Sequence, residues 1–398
     1  GFPRIISFDM GGTSTDVSLC DGGLSMTTES AISGLPLRLP LIDIHTVGSG
    51  GGSIAYVDAG GALRVGPESA GAVPGPACYG KGEEVTVTDA NLILGRLDPE
   101  RFLGGAMKLF PARSRRVMDR LASRLKMDVH ELAEGVIRVA DATMERAIRV
   151  ISVERGFDPR DFALLSFGGA GGMHACSLAQ RLRIPAVIVP KNAGVLSALG
   201  MLLSDTVKDY SLSVLRPADN VPVPELDRLF EPLLAEAGKN LRREGFSPRK
   251  MNLQRSLDVR YIGQSYELNV PFSPGFRRKF HGLHLRRYGY ADEMRPVEVV
   301  NLRVKAVGIT DKPALAEIEP GGRSPREARL GRRPMRFEGR VCAADIYARE
   351  RLRAGNTIVG PALILDYEST AVIPPGYLCQ VDRYGNLMIT PRRSGRKG

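Results

Sequence analysis

The feature that most constrains this chain is a glycine-rich turn that lies close to its start. The turn reads Asp9-Met-Gly-Gly-Thr-Ser-Thr-Asp16, between the short apolar segments 5–8 and 17–20. Apolar residues on both sides of a glycine turn predict a β-hairpin. A further apolar segment at 24–28 follows a second turn, so we expect three antiparallel strands in succession.

The turn has the composition of a phosphate-binding loop. Gly11 and Gly12 can adopt positive φ, and without side chains they let phosphate oxygens approach the backbone N–H groups. Thr13, Ser14 and Thr15 add hydroxyl donors. A plain hairpin turn capped by hydroxyls is equally compatible with these residues when they are considered alone.

Two carboxylates flank the turn. Asp9 and Asp16 would repel a bare triphosphate, so they fit a phosphate site only with a divalent cation or as groups that position a reacting water. The sequence therefore predicts Mg²⁺ at Asp9 and Asp16, and it makes both residues candidates for catalysis.

A second glycine loop occurs within an alternating α/β pattern. Apolar residues recur at helical spacing over 129–155, and the apolar strand 162–167 follows. Gly168-Gly-Ala-Gly-Gly172 then connects this strand to a predicted helix at 173–181, and a second strand is predicted at 185–190. The alternation predicts a mixed sheet covered by helices.

The second loop lacks the final glycine of a dinucleotide fingerprint, because His174 stands there. We expect His174 to contact backbone. Cys78 and Tyr79 are possible substrate-side residues, although a buried structural cysteine is the more common role. His45 could orient a substrate or be a core histidine.

Composition predicts several domains and excludes some functions. The 398 residues suggest segments at 1-205, 206-310 and 325-392, the first a nucleotide-binding lobe, the second α+β and the third a small β-rich module. Long loops are expected over 34–105, which is rich in Gly and Pro. No apolar run is long enough for a bilayer, so no membrane association is expected.

Charge and cysteine content complete this outline. Residues 1–100 hold 5 Lys+Arg against 12 Asp+Glu, although the whole chain has a net charge of +11. Because aromatic residues are sparse and no basic module stands out, we expect no nucleic-acid binding and instead an acidic protein partner or a solvated surface. Five dispersed cysteines favour the reducing cytoplasm. The chain starts at Gly1 and enters a strand at once, which is expected of an interior start without a signal peptide.

These motifs together resemble the A subunit of the hydantoinase/oxoprolinase family over nearly the whole chain. The resemblance rests on 8–16, Gly50-Gly-Gly-Ser-Ile-Ala55, Gly66-Pro-Glu-Ser-Ala-Gly-Ala72, Gly75-Pro-Ala-Cys-Tyr-Gly80, Thr88-Asp-Ala-Asn-Leu92, Val153-Glu-Arg-Gly-Phe-Asp-Pro-Arg160, 167–171, Val259-Arg-Tyr-Ile-Gly-Gln264, Tyr288-Gly-Tyr290, Gly360-Pro-Ala-Leu-Ile364 and Pro374-Pro-Gly-Tyr377.

The resemblance implies an α/β, actin/hexokinase-like (ribonuclease H-like) ATPase lobe with a mixed sheet, followed by a C-terminal α+β and β-rich region. ATP would bind between two lobes, with the first turn as the second phosphate motif and with Gly168, Gly169 and Gly171 in the adenosine motif. The implied activities are ATP-dependent opening of cyclic amides, such as N-methylhydantoin and 5-oxoproline, and ATP-dependent carboxylation of ketones. In both, ATP would phosphorylate an unreactive oxygen, and a B-type partner subunit would complete the chemistry.

Family members carry an earlier lobe with its own Asp-x-Gly-Gly-Thr loop, and the strand at Ile5 corresponds to the start of their second lobe. We therefore expect this chain, without an N-terminal A-type lobe, to bind ATP weakly or not at all. Three functions stay open: the ATP-binding part of a cyclic amide hydrolase, the equivalent part of an acetone- or acetophenone-type carboxylase, and a non-catalytic assembly partner.

Overall fold

The computed structural model describes residues 2–27, 30–32, 35–37, 41–218 and 221–392. The chain divides into two compact units. The first comprises residues 1–197 together with 315–398, and the second comprises 198–314. This division differs from the three consecutive segments predicted from the sequence.

Strands predominate in both units. The strands are β1 (Arg4–Met10), β2 (Thr15–Asp21), β3 (Met26–Thr27), β4 (Ser30–Ile32), β5 (Leu35–Leu37), β6 (Leu41–Ile42), β7 (Ile44–Val47), β8 (Ser53–Val57), β9 (Leu63–Ser69), β10 (Val85–Thr86), β11 (Ala163–Phe167), β12 (Val187–Val189), β13 (Thr206–Pro217), β14 (Met251–Tyr261), β15 (Leu268–Pro271), β16 (Val297–Gly308), β17 (Arg329–Phe337), β18 (Arg340–Ala348), β19 (Thr357–Val359), β20 (Ala362–Leu365), β21 (Thr370–Ile373), β22 (Tyr377–Val381) and β23 (Leu387–Pro391). The α-helices are α1 (Val87–Ile93), α2 (Pro111–Leu125), α3 (Val129–Ile151), α4 (Gly171–Leu182), α5 (Leu196–Leu203), α6 (Val223–Arg243) and α7 (Phe276–Tyr288).

The largest sheet of the first unit has the strand order β19-β22-β23-β12-β11-β1-β2-β7. β1, β11 and β12 are parallel, whereas β2 is antiparallel to both of its neighbours, β1 and β7. From β7 to β12, therefore, only β2 runs against the other strands. This mixed sheet confirms the predicted α/β, actin/hexokinase-like lobe.

The C-terminal strands extend this same sheet. β23 pairs antiparallel with β12, and β22 and β19 follow it. The other strands of this region form a separate sheet with the order β17-β18-β20-β21. The whole of the predicted module at 325-392 belongs to the first unit rather than to a unit of its own. Strand pairing between distant segments is not encoded in the alternation of apolar residues within each strand, so local patterns could not reveal it.

Helix α3 forms much of the core beneath the sheet. Its first turn is capped by Asp128, whose carboxylate accepts a hydrogen bond from the His130 N–H at 2.8 Å. The apolar stripe that predicts this helix is buried, with Leu132, Met144 and Ile148 fully inaccessible. The α-helix ends at residue 151, and a 3₁₀ turn at Val153–Arg155 completes the predicted span.

Two predictions near the start of the chain were inaccurate. The third strand beside the hairpin is β7, whereas β3 pairs with β6, and the last residue of the predicted 24–28 strand lies outside the described residues. The segment 34–105 contains β8, β9 and α1 in addition to loops, and residues 34 and 38–40 lie outside the description.

The second unit is an α+β structure. Its sheet has the order β13-β16-β14-β15, and α6 packs on β14 and β16. Leu226 and Phe230 of α6 are buried together with Val299 and Leu302 of β16, which gives this unit its own apolar core. Across the described parts of both units, no helix has the length and apolar character needed to cross a membrane.

Candidate functional site

The structure places the two predicted carboxylates opposite each other at the end of the β1–β2 hairpin. Asp9 and Asp16 are paired residues on adjacent antiparallel strands, so their side chains lie on one face of the sheet. The Ser197 hydroxyl donates to Asp9 Oδ2 at 2.8 Å, and the Thr46 hydroxyl donates to Asp16 Oδ1 at 2.5 Å. His45 is paired with Val17 on the neighbouring strand, so it lies on the opposite face of the sheet from Asp16.

The electrostatics of this pair are compatible with a bound cation. Partial burial raises the pKa of Asp9, the hydrogen bond from Ser197 opposes that change, and the charge of Asp16 adds to it. Among the described residues no group of three or more His, Cys, Asp or Glu side chains surrounds a common point. Mg²⁺ commonly uses only one or two protein carboxylates and takes its remaining ligands from water and phosphate. Two facing carboxylates therefore fit Mg²⁺ bound together with a nucleotide.

The first glycine turn is tight and is closed by a backbone hydrogen bond. The Gly11 N–H donates to the Ser14 carbonyl at 3.1 Å. Glycine can adopt positive φ, but neither Gly11 nor Gly12 does so in this turn. A Cβ on Gly12 would meet nothing within 4 Å, and Thr13 beside it is exposed. The outer side of the turn is therefore open to a ligand.

Thr15 differs from the other hydroxyl residues of the turn. Its side chain is fully buried, and its hydroxyl donates to the Ser49 carbonyl at 2.5 Å. This places Thr15 on the face of β2 that packs against the core. It supports the turn from beneath. Thr13 is exposed at the surface, and Ser14 is partly buried.

The second glycine loop packs directly against Asp9. Gly168 has a φ of +79°, and a Cβ there would lie 2.4 Å from Asp9 Oδ1 and 2.4 Å from the Met10 carbonyl oxygen. The Ala170 N–H donates to the same Met10 carbonyl at 3.0 Å. The two glycine loops, far apart in sequence, thus meet at the end of β1.

The other glycines of the second loop have different environments. Gly169 is exposed, whereas Gly171 is buried at the first turn of α4, where a Cβ would lie 2.9 Å from the Ser166 hydroxyl. Gly169 and Ala170 line a cavity beside the first turn, at the N-terminus of α4. A helix N-terminus favours negative charge, which suits a phosphate or a similar anion.

A third glycine segment forms part of the site and was missed as a functional element. The Gly51 and Gly52 N–H groups donate to the Gly11 and Gly12 carbonyls at 3.0 and 2.6 Å. A Cβ on Gly50 would lie 2.7 Å from the Gly12 backbone. The run of consecutive glycines was the available signal, since close approach of two backbones requires residues without side chains.

Buried polar residues hold this third segment in place. Both the N–H and the hydroxyl of Thr88 donate to the Gly51 carbonyl at 2.8 Å. The adjacent Asp89 accepts hydrogen bonds from the N–H groups of Ala77, Cys78 and Thr86 and from the hydroxyls of Thr86 and Ser114. Asp89 is therefore a structural carboxylate that fixes the loop before α1.

The two residues suggested for substrate contact have different positions. Cys78 is fully buried, and burial raises the pKa of its thiol well above the usual range. Tyr79 lines the cavity beside the first turn, and burial raises its pKa to about 12. Cys78 consequently has the properties of a structural cysteine, which is the more common role of a buried cysteine.

His174 contacts side chains and not backbone, so that prediction was wrong. Its Nδ1 lies 2.7 Å from Asp141 Oδ1, and its Nε2 lies 3.2 Å from Asn91 Nδ2. All three residues are buried. The network connects α1, α3 and α4, which carry or support the glycine segments of the site.

The cavity between these segments is small. It encloses about 170 Å³, below the roughly 300–1,000 Å³ of typical small-molecule sites. Its wall includes Gly11, Gly12, Gly51, Tyr79, Gly169 and Thr370. The rest of the wall is mixed, with apolar side chains such as Phe102 and Met173 and the charged residues Asp98, Arg101, Asp366 and Glu368. The volume suits part of a nucleotide.

Comparison with known proteins shows the family to which this chain belongs. Residues 1–210 match the family described as hydantoinase/oxoprolinase, and residues 295–389 match the C-terminal domain of that family. The chain belongs to the hydantoinase/oxoprolinase family. The predicted resemblance to an A-type subunit of this family is thereby confirmed.

Several members of the family are similar over almost the whole of this chain. The caprolactamase α subunit of Pseudomonas jessenii is 36% identical over 98% of the chain and 59% of its own length. The 5-oxoprolinase 1 of Arabidopsis thaliana is 35% identical over 97% of the chain and 32% of its own length. A nucleotide-free structure of acetone carboxylase, an enzyme of ATP-dependent acetone carboxylation, has a TM-score of 0.88 at 28% identity and matches 98% of this chain and 59% of its own. The chain thus spans less than two thirds of the length of these relatives.

Proposed function

We propose that this chain supplies the ATP-binding part of an ATP-dependent cyclic amide hydrolase of the hydantoinase/5-oxoprolinase type. The observation that carries the proposal is the meeting of both glycine loops at Asp9, where Gly168 leaves no room for a side chain. Two similar proteins are a caprolactamase and a 5-oxoprolinase, whose names denote cyclic amides. ATP would activate the amide carbonyl oxygen by phosphorylation.

In this proposal the first turn binds the phosphates. The N–H of Gly12 and the hydroxyls of Thr13 and Ser14 would contact phosphate oxygens, while Gly11 closes the turn through its hydrogen bond to Ser14 and the buried Thr15 supports the turn from below. Mg²⁺, when bound, would neutralise phosphate charge. Asp9 and Asp16 would hold the ion, and the hydroxyls of Ser197 and Thr46 would orient their carboxylates.

The second loop would bind the nucleoside side of ATP. Gly169 is exposed at the cavity and offers backbone contact. Gly168 allows the loop to pack closely against β1, and Gly171 allows α4 to start close to the sheet. In this assignment Gly168 and Gly171 shape the site, and Gly169 touches the ligand.

We further propose that this chain provides only part of the ATP site. The cavity of about 170 Å³ is too small for a whole nucleotide. An N-terminal A-type lobe and a B-type subunit would complete the site. Isothermal titration of the chain alone with Mg-ATP is expected to give affinity weaker than micromolar, and micromolar binding would refute this part of the proposal.

The role of Asp9 can be tested in the complete assembly. Asp9→Asn should lower ATP turnover by about 100-fold or more, because the carboxylate that positions the metal and reacting groups is lost. Asp21→Asn is a matched control, since Asp21 is exposed on β2 and pairs with Arg4 at 2.9 Å. Circular dichroism of both variants would verify that folding is intact. Turnover of the Asp9 variant equal to that of the control would remove Asp9 from the mechanism.

An ATP-dependent ketone carboxylase is the second candidate, favoured by the TM-score of 0.88 with acetone carboxylase. The glycine loops would serve ATP in the same way in both reactions. Hydrolysis of ATP by the complete assembly that requires both bicarbonate and acetone would identify a carboxylase. Hydrolysis stimulated by 5-oxoproline or caprolactam without bicarbonate would identify a cyclic amide hydrolase.

A further inference from the structure

Helix α7 of the second unit carries a group of exposed cations on its outer side. Residues 268–291, which include this helix, contain five lysine and arginine residues and no acidic residue. Four of the five are exposed, namely Arg278, Lys279, Arg286 and Arg287. Within the described part of the chain, none of these four lies within 4.0 Å of a carboxylate oxygen. The charge of this helix is therefore not neutralised by ion pairs.

The acidic residues that flank this segment do not neutralise the cations either. Glu267, Asp292 and Glu293 are exposed, and none of them takes part in an ion pair among the residues that the structure describes. Asp292 Oδ1 instead accepts a hydrogen bond from the Met294 N–H at 3.0 Å. The cations of α7 are thus available to carboxylates from another molecule.

A glycine lies at the centre of the exposed side of α7. Gly282 is four residues from both Arg278 and Arg286. It is three residues from Lys279 and Leu285, and these spacings place all five residues on one side of the helix. We call these five residues the α7 surface.

No contact within the described chain accounts for this glycine. A Cβ on Gly282 would meet nothing within 4 Å. Glycine destabilises the interior of a helix relative to alanine, so its presence there commonly has a packing or functional reason. Close approach of a backbone from another molecule would be such a reason.

Exposed apolar and aromatic side chains adjoin the cations. The exposed fraction is 52% for Leu285, 45% for Tyr288 and 49% for Tyr290. Met294, in the loop after α7, is 92% exposed. Tyrosine, methionine and arginine are the residue types that are enriched at protein–protein interfaces, and tyrosine and arginine are frequent hot spots. The composition around the α7 surface is therefore that of a protein interface.

Two sequence motifs that the ATP site does not use meet beneath this region. They are 259–264 and 288–290, both of which contribute to the family resemblance. The Gln264 Nε2 donates to the Tyr290 hydroxyl at 3.2 Å, and the His284 Nδ1 donates to the Tyr290 carbonyl at 2.8 Å. The tyrosine is consequently held in place before any partner binds, which lowers the entropic cost of association.

On the basis of the function proposed above, we propose that the α7 surface docks the B-type subunit. Carboxylates of that subunit would contact Arg278 and Arg286, and a segment of its backbone would approach Gly282. Such charge complementarity steers association and selects the partner. Every residue assigned to ATP lies in the first unit, where the N-terminal A-type lobe would complete the site. The second unit is therefore left for the B-type subunit.

The same observations favour a protein over a nucleic acid. Arginine and tyrosine also attract single-stranded nucleic acids, but bases stack on free ring surfaces. The Tyr290 ring packs edge to face against His284, with centroids 4.7 Å apart, so part of its surface is already covered. Leu285 adds an exposed aliphatic side chain, which suits a protein interface rather than the more polar interface with a nucleic acid.

Binding of the B-type subunit to the complete A-type part of the assembly, measured by biolayer interferometry at low and high salt, tests this surface. The double variant Arg278→Gln/Arg286→Gln should weaken binding by about tenfold or more, and the difference should shrink at high salt. Arg228→Gln/Lys239→Gln is the matched control, because it removes the same charge from exposed positions on α6. The control should bind as the wild type does.

Gly282→Gln tests the close approach separately from the charge. Because glutamine is a better helix former and the space beside Gly282 is open, this variant should unfold at the same temperature as the wild type or higher. Its binding to the B-type subunit should nevertheless weaken by about tenfold or more. Affinity equal to that of the wild type, in either the arginine variant or the glycine variant, overturns the proposal.

Hydrolysis of ATP stimulated by 5-oxoproline or caprolactam, measured on the same samples, separates this proposal from the proposed function. A wild type that is active and variants that bind the B-type subunit equally well would refute the docking surface alone. An inactive wild-type assembly whose binding still depends on Arg278 and Arg286 would refute the function and support the surface. Binding of polyuridylate or of phosphatidylserine vesicles that requires these arginines, with unchanged binding of the B-type subunit, would also overturn the proposal.

Discussion

The contact between Gly168 and Asp9 can be measured through Gly168→Ala. At φ +79° an alanine would adopt the left-handed region, which costs about 1–2 kcal/mol. Its Cβ would also lie 2.4 Å from Asp9 Oδ1 and the Met10 carbonyl oxygen. Such overpacking typically costs a further 1–3 kcal/mol or so. Gly168→Ala should therefore lower the free energy of unfolding by about 2–5 kcal/mol in all.

A matched control separates the two contributions. Gly156 has a φ of +82°, and a Cβ there would meet nothing within 4 Å. Gly156→Ala should therefore lose only the conformational part, about 1–2 kcal/mol. Urea unfolding of the wild type and both variants, followed by circular dichroism, gives the two free energies. If Gly168→Ala were no more destabilising than Gly156→Ala, the close approach of the second glycine loop to Asp9 would be refuted.

Two further predictions concern buried polar groups. In urea unfolding, Asp89→Asn should lower the free energy of unfolding by about 2–4 kcal/mol, because several buried donors lose a charged acceptor. As a control, Asp119→Asn at an exposed position should change it by less than about 0.5 kcal/mol. Equal effects of the two substitutions would contradict the structural role of Asp89. In thiol labelling at pH 8, the partly buried Cys20 and Cys342 should react first, and Cys379, whose pKa burial raises to about 12, should react only on unfolding. Rapid labelling of Cys379 in the folded chain would contradict the buried position of its side chain.

The parts of the site that could be predicted are local in sequence. The hairpin around Gly11 and Gly12 brings Asp9 and Asp16 together through ordinary antiparallel pairing, which the alternation of apolar residues specifies. Helix α3 was likewise predictable, because its helical period extends over many residues. These elements required no knowledge of distant contacts.

The parts that could not be predicted depend on distant contacts. Glycine at 168 is required by the backbone of β1, and glycine at 50 is required by the first turn. Neither requirement is visible in the surrounding sequence. At Gly12 the structure leaves open space, and the positive φ that glycine permits is not used there. The same limit concealed the C-terminal strands that complete the main sheet.

The facing carboxylates connect the fold to the proposed chemistry. Residues directly opposite on antiparallel strands have Cβ atoms about 5 Å apart, and like charges there are destabilising. At such a separation near a protein surface the repulsion is on the order of 1 kcal/mol or more. Burial of Asp9 and the charge of Asp16 act in the same direction on the pKa of Asp9. The repulsion opposes folding, although the hydroxyls of Ser197 and Thr46 donate to the two carboxylates. A divalent cation would convert the repulsion into binding energy. The repulsion between Asp9 and Asp16 therefore supports the proposed ligand site over a hairpin turn alone.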